Sequence, residues 1–325
     1  MASPAANITQ KFRQSFKIVN KDVLRWFPGH MGKGMRKMQQ LLKTVDCVIE
    51  VHDARVPITG RNPDFQHKIC GVRPHILVLN KKDLIERKDQ GTIREKLKKL
   101  GISSVFFSNC KDQQCPELKK VIPEATDLIS SSNRYNRSEE REYNVLVIGV
   151  PNVGKSSLIN WLRNRHLKKA SAARVGGVAG VTRSVQNRIK VSEEPKVYLL
   201  DTPGVLQPTI KNVEAGLKLA LCACLQDHLV GEEVIADYLL YTLNNQQNFR
   251  YVDLMGLDGP CDDISMVLVK GAIKMNKFQT VKQFDGSLVK KPNVTSAAVF
   301  LIREFREGRL GKIILDPIHS DAVEL

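Results

Sequence analysis

The sequence predicts an α/β fold, a mostly parallel sheet with helices on both faces, followed by a small all-helical domain. Three observations predict it. Short β-branched apolar runs alternate with amphipathic helical stretches through the first half of the chain. A glycine-rich GVPNVGKSS loop, Gly149 to Ser157, stands between one such run and a helical pattern. Beyond Asp201 the strand pattern gives way to helical periodicity.

Residues 45–51 (VDCVIEV) read as a buried strand ending at His52-Asp53. Residues 75–79 (HILVL) form a second strand that delivers Asn80-Lys81-Lys82-Asp83 at its carboxyl end. Residues 86–100 pattern as an amphipathic helix with Ile93, Leu97 and Leu100 on one side. Val105 to Phe107 make a third strand running into Ser108-Asn109-Cys110, and Pro116 to Ile122 suggest a further helix. Residues 130–142 are polar and aperiodic, a linker between two halves of one domain. Residues 144–149 form the strand feeding the glycine-rich loop, and the helix beginning near Ser156 carries Leu158, Ile159 and Leu162. Gly176 to Gly180 reads as a loop, with strands at 185–191 and 197–200. Residues 211–245 and 294–307 are helical, the second stretch ending at Gly308. The expected domains are a basic segment at 1–25, a sheet domain at 26–208 and a helical domain at 209–325.

No apolar run approaches the roughly 18 residues of a membrane span, so the body is expected to be soluble. The 7 cysteines form no C-x-x-C pair, which points to a reducing compartment. The net charge of +16 is concentrated. Residues 1–43 hold 9 Lys/Arg against the single acid Asp22, residues 161–190 hold 8 Lys/Arg and no acid, and the rest sums to zero. Two acid-poor blocks suggest a surface for a polyanion such as RNA. Ile8, Phe12, Phe16 and Val19 recur at helical spacing among Lys11, Arg13, Lys17 and Lys21. That basic amphipathic pattern is the pattern of a mitochondrial transit peptide.

The glycine-rich loop has the spacing of a phosphate cradle. Gly149 and Gly154 permit the backbone turns that aim N–H groups, from Asn152, Val153, Gly154, Lys155, Ser156 and Ser157, at phosphate oxygens. Lys155 is placed to reach the terminal phosphates and the Ser156 hydroxyl to ligate Mg²⁺. Asp201-Thr202-Pro203-Gly204 ends a strand, where an acid helps hold Mg²⁺ and the Gly204 N–H meets the γ-phosphate. Thr182 is the candidate for a second Mg²⁺ hydroxyl; its alternative is an ordinary loop threonine. Asn80-Lys81-Lys82-Asp83 selects the base. A carboxylate at Asp83 can accept from guanine N1–H and N2–H₂ together, a pair that adenine lacks. Asn80 ties loops together, the Lys81 stem covers the ring, and Ser108-Asn109 backs the base at O6. A kinase or ATPase has no use for the Asn80 to Asp83 run, so GTP and GDP are the expected ligands.

The motif order is unusual: the base-reading run precedes the phosphate loop by roughly seventy residues. Base motif, backup loop, phosphate loop, switch threonine and DTPG follow the order of circularly permuted P-loop GTPases, which this chain resembles. Trp26-Phe27-Pro28-Gly29-His30-Met31, ahead of the first strand, is similar to the signature of the bacterial ribosome-biogenesis GTPase A group. Gly32 and Gly34 depart from that group, which has alanines there. The resemblance implies a mitochondrial GTPase that binds a maturing large ribosomal subunit and hydrolyses GTP as a checkpoint, with its helical domain facing rRNA. It is compatible with a peripheral position at the inner membrane. Val205 stands where many GTPases carry the glutamine that orients water. The resemblance implies two substitutes, His30 as the catalytic histidine and Asn152 as the ligand of a K⁺ ion. The alternative for His30 is a structural turn histidine. The alternative for the chain is an RNA-binding scaffold whose nucleotide domain does not hydrolyse.

Overall fold

The computed structural model describes residues 12–17, 42–61, 73–134, 137–167, 186–201 and 212–318. The chain divides into two compact units, Asp22–Val230 with Lys312–Leu325, and Met1–Lys21 with Gly231–Gly311.

The first unit is built on a six-stranded sheet. β1 (Cys47–Asp53) is buried along its whole length, as a central strand covered on both faces must be. It pairs in parallel with β2 (His75–Asn80) on one side and β4 (Glu142–Ile148) on the other. β3 (Val105–Phe107) extends the β2 side, and β6 (Lys196–Asp201) extends the β4 side. β5 (Gln186–Ser192) closes the edge antiparallel to β6, giving the order β3-β2-β1-β4-β6-β5. The chain therefore steps outward from β1 through β3, then re-enters at β4 on the opposite side. The gap between β1 and β4 is the switch point of the topology.

Helix α1 (Asp89–Lys99) seats Ile93 and Leu97 against Leu77, Leu79, Val105 and Phe107, with Leu100 partly buried beside them. Helix α2 (Pro116–Ser130) runs through Pro123 instead of stopping at Ile122. Its apolar face continues through Ala125 and Ile129, and burying that face outweighs the one missing N–H of the proline. The expected linker is anchored at both arginines: Arg134 Nε and Arg137 Nε donate to the buried Asp46 carboxylate at 3.2 and 3.0 Å. Helix α3 (Lys155–Leu167) follows the glycine-rich loop and buries Leu158, Ile159 and Leu162. Helices α4 (Val213–Leu221) and α5 (Asp227–Val230) also belong to this unit, so the division falls at Val230 and not near 208.

The second unit packs α6 (Glu232–Asn245), α7 (Arg250–Met255), α8 (Ile264–Lys274) and α9 (Val294–Arg306). The Asp263 side chain caps α8 through the Ser265 and Met266 N–H groups, and Asn293 caps α9 through Ser296 N–H. The Tyr251 hydroxyl donates to Asn244 Oδ1 at 2.7 Å, pinning α7 to α6. Sequence periodicity gave an all-helical domain here, and the structure corrects it. An antiparallel hairpin, β7 (Phe278–Lys282) and β8 (Leu288–Pro292), stands between α8 and α9. The two strands are short and mostly exposed, so no apolar alternation marked them.

A second correction concerns the amino terminus. Within the expected amphipathic helix, residues 12–17 are described and are not helical. They clip onto the helical unit. Arg13 donates through its guanidinium to Asp237 at 2.7 and 3.1 Å and to Asp262 at 3.0 Å, and its backbone N–H reaches Asp262 at 2.7 Å. Phe12 packs on Phe249, and Phe16 packs edge-on against Tyr238 and tilted against Tyr241. The spacing that suggests a helix face arises from two phenylalanines that reach the same helical surface by another path.

Arg13→Ala leaves two half-buried carboxylates without this cation, so it should loosen the helical unit by about 1–2 kcal/mol after solvent screening. The readout is faster hydrogen exchange in Glu232–Asn245, with Lys17→Ala unchanged as the control.

Candidate nucleotide-binding site

The parallel register aligns strand ends. Asp53 lies opposite Asn80, Leu79 opposite Phe107, and Val147 opposite Asp201. The segments that follow β2, β3 and β4, and the last residue of β6, therefore share one carboxyl edge that spans the switch point. Segments far apart in the chain meet there.

The glycine-rich loop is held by backbone conformations that side chains oppose. Gly149 sits at φ 144, and a Cβ there would lie 2.2 Å from the Val51 carbonyl oxygen. Gly154 sits at φ 105, and a Cβ there would lie 2.3 Å from Asn80 Nδ2. That close approach has a purpose. Asn80 Nδ2 donates to the Val153 carbonyl at 2.8 Å, joining the base-reading run to the phosphate loop. Asn80 Oδ1 accepts from Ser108 Oγ at 3.2 Å and from the Cys110 N–H at 3.1 Å, joining the third loop. One buried amide thus ties three loops together. The Trp161 indole of α3 donates to the Asp112 carbonyl at 2.9 Å, a second tie between the phosphate-loop helix and the Ser108-Asn109 loop.

Lys155 is buried, and its ammonium donates to the carbonyls of Gly149 and Val150 at 3.1 and 2.9 Å. Burial pushes its pKa down to about 8, and the attraction of Asp201 offsets part of that fall. Ser156 and Ser157 lie half-buried in the first turn of α3, where helix N–H groups lack internal acceptors. Asp201 is buried at the end of β6. A hydroxyl, a carboxylate and a buried ammonium at one edge fit a Mg²⁺-bound phosphate, since Mg²⁺ takes hard oxygen donors. Asn152 takes the left-handed conformation, at φ 58, and its Nδ2 donates to the Ala223 carbonyl at 2.8 Å.

On the base-reading side Lys81 adopts φ 62, ψ 38, and a single 3₁₀ turn follows at Lys82–Leu84 with Asp83 exposed on it. Asn109 turns its Oδ1 onto the Lys111 N–H at 3.0 Å and Ser108 is fully buried. The structure thus brings Asn80, Lys81, Asp83, Ser108, Asn109, Asn152 to Ser157 and Asp201 to one edge. His30, Thr182, Gly204 and Val205 lie outside the described residues.

Sequence reading missed the support beneath Lys81. Its ammonium pairs with buried Asp53 at 2.8 Å, and Asp53 also accepts from Arg55 Nε and Nη2 at 2.9 and 2.8 Å. Burial by itself would raise the Asp53 pKa, but Arg55 and Lys81 more than offset it and hold the carboxyl well below the usual range. An acid and an arginine two residues apart at the end of an apolar strand were the available signal. The returning segment after the helical unit was also missed. Ile313 N–H donates to the Leu84 carbonyl, Leu315 N–H to the Arg55 carbonyl, and Asp316 accepts from the Ile58 and Thr59 N–H groups. No local pattern announces such a strap.

The charge blocks also look different when folded. Arg188 pairs with Glu142 and stacks over the Tyr198 ring, and Lys190 pairs with Glu193. Acids absent from the local window arrive from neighbouring strands and the adjoining turn, so part of the second block is internally compensated.

Residues 144–243 match the family model described as 50S ribosome-binding GTPase. The chain is 58% identical over 311 residues to a mitochondrial GTPase 1 from Aedes aegypti, covering 95% of this chain and 98% of that one. It is 53% identical over 318 residues to a mitochondrial ribosome-associated GTPase 1 from Bos taurus, covering 97% and 95%. The crystal structure of a GNP-bound YlqF from T. maritima is similar in fold, with a TM-score of 0.56 at 23% identity, covering 89% of this chain and 99% of that one. The chain belongs to the mitochondrial GTPase 1 family; its fold is that of a circularly permuted P-loop GTPase, and it is a GTP hydrolase.

Burial of the Lys155 ammonium makes both stability and nucleotide affinity depend on pH. Below about pH 8 the buried ammonium costs the folded state stability, regained as pH rises toward the ordinary lysine value of 10.5. Phosphate oxygens favour the charged form, so nucleotide binding takes up a proton above about pH 8 and none well below it. Affinity for fluorescent GDP should be flat near pH 7 and fall by up to about tenfold per pH unit at higher pH. The difference in slope from Lys155→Arg isolates the lysine from titration of the base. Identical slopes would exclude a depressed Lys155.

Proposed function

We propose that this GTPase binds the large subunit of the mitochondrial ribosome and assists its late assembly, hydrolysing GTP to GDP and phosphate as a checkpoint. The observation that carries the nucleotide half is the Asn80 amide, which links the base-reading, backup and phosphate loops in one hydrogen-bonded unit. The ribosomal half is supported by relatives named ribosome-associated GTPases and by the acid-poor basic segments, which suit rRNA phosphates.

Asp83 accepts from the guanine edge while Lys81, steadied by Asp53, lays its stem on the ring. Ser108 and Asn109 close the base pocket near O6. The N–H groups from Asn152 to Ser157 and from Gly204 cradle the phosphates, and Lys155 moves from the Gly149 and Val150 carbonyls to phosphate oxygen. Ser156, Thr182 and Asp201 would hold Mg²⁺, which would neutralise phosphate charge. Val205 cannot orient water. His30 is the candidate for that task, and Asn152 the candidate ligand for K⁺, its side-chain plane set by the bond to Ala223.

This GTPase acts in the mitochondrial matrix. Among the described residues no helix is long and apolar enough to cross a membrane, so inner-membrane association, where it occurs, is peripheral in this reading. Removal of an N-terminal leader that extended beyond residue 17 would also remove the Arg13 clip.

The test is GTP turnover with and without purified large mitochondrial subunits, in KCl and in NaCl. Subunits should stimulate wild-type hydrolysis by about a hundredfold or more, the scale of a supplied acid–base group. His30→Ala should keep GDP affinity and lose the stimulation, and KCl should exceed NaCl. Equal rates in both salts remove the K⁺ role. Binding to subunits without hydrolysis under any condition would favour the scaffold alternative.

A further inference from the structure

We propose that the hairpin between α8 and α9 is an RNA-docking finger, in which Phe284 stacks on an unpaired nucleobase while Lys282 and Lys290 hold flanking phosphates. The proposal rests on the ribosome reading above and adds the surface and contact chemistry. Strand register puts Phe278, Thr280, Lys282, Leu288 and Lys290 on one face, with Lys282 opposite Leu288 and Thr280 opposite Lys290. That face is exposed: Leu288 is 71% accessible and Phe278 37%. Val281 and Val289 on the other face are half-buried, as is Pro292 opposite Phe278 at the base. A two-stranded ribbon with this little burial is marginal alone. It is held at its base, where Lys277 N–H donates to the Ala272 carbonyl and Asn293 N–H to the Lys277 carbonyl.

The tip is shaped as well as exposed. Phe284 is fully exposed, at 114% relative accessibility. Its turn is fixed by Gly286 N–H to the Gln283 carbonyl, Gln283 N–H to the Ser287 carbonyl, and Ser287 N–H and Oγ to Asp285 Oδ1. Asp285 is the sole acid between Lys277 and Pro292, and its Oδ1 is used inside the turn. Four lysines remain at Lys277, Lys282, Lys290 and Lys291, and Lys290 already lies over the Phe278 ring at 5.4 Å. Lysines interleaved with exposed aromatics are the surface that single-stranded RNA takes, by backbone charge and base stacking.

Other occupants fit less well. Lysine is depleted at protein interfaces. Edge lysines repel a second copy of the same ribbon. A membrane-inserting tip needs contiguous apolar residues, and Phe284 stands between Gln283 and Asp285 with Ser287 beyond.

The experiment uses the full chain with GDP, a short fluorescent single-stranded RNA of mixed sequence, and the duplex of that sequence. Phe284→Ala should weaken single-strand binding by about tenfold and leave duplex binding within about twofold, and Phe284→Trp should restore it. Lys282→Gln with Lys290→Gln should lower the salt slope by about 1.4. Phe284 is fully exposed, and an unchanged circular dichroism spectrum and melting temperature in every variant confirm the fold. Single-strand affinity that does not respond to Phe284→Ala overturns the proposal. So does a loss confined to vesicles of phosphatidylserine and phosphatidylcholine, which would assign the tip to a membrane surface. Co-sedimentation with large mitochondrial subunits separates the two readings. Wild type that fails to sediment, with the Phe284 effect on RNA intact, removes the ribosome reading alone. Wild type and Phe284→Ala that sediment equally, with RNA affinity equal, remove the finger alone.

Discussion

Three loops at the nucleotide edge are joined through one buried side-chain amide. Asn80 donates to the glycine-rich loop and accepts from the Ser108 to Cys110 loop, so three segments are positioned by a group that can satisfy all of them at once. The same amide explains a glycine. With Nδ2 this close, position 154 has no room for a Cβ, and its φ of 105 disfavours one independently. The hydrogen bonds and the missing side chain are two sides of one constraint.

That constraint is indifferent to chain order. Parallel pairing of β1 with both β2 and β4 brings their carboxyl ends to one edge whichever strand is made first. What order changes is connection. The chain passes from Asp201 on β6 toward α4, leaves for the helical unit at Gly231, and returns at Lys312 to bond the backbone of Leu84 and Arg55. The segment that follows the helical unit is therefore hydrogen-bonded beside the base-reading turn. Asp53 and Arg55 sit beneath the same turn, so the ion pair that steadies Lys81 also shares a loop with the returning strap.

Charge follows the same logic of assembly from distant parts. Arg13, read locally, is one of a row of cations in a leader-like segment; folded, it faces Asp237 and Asp262 more than two hundred residues away. Arg188 and Lys190 lose part of their availability to acids near them in the sheet unit. The hairpin lysines keep theirs, because the one acid beside them is spent on its own turn.

The alternation of strands and helices, the glycine-rich loop, the Asn80 to Asp83 run and their inverted order can all be read in the residue order. These are legible because each rests on local chemistry: residue spacing, glycine placement, and the period of apolar side chains. The same order also placed Ile93 and Leu97 on the buried face of α1, since periodicity is a local property. It is the folded chain that carries α2 through Pro123, because a packed apolar face can outweigh one lost hydrogen bond. Only it revealed the Asp53–Arg55–Lys81 support, the Arg13 clip and the strap at 312–318, whose partners lie far off in sequence. The hairpin escaped for the opposite reason. Its strands bury too little to carry an alternating pattern, so nothing in the order of residues distinguished them from a polar loop.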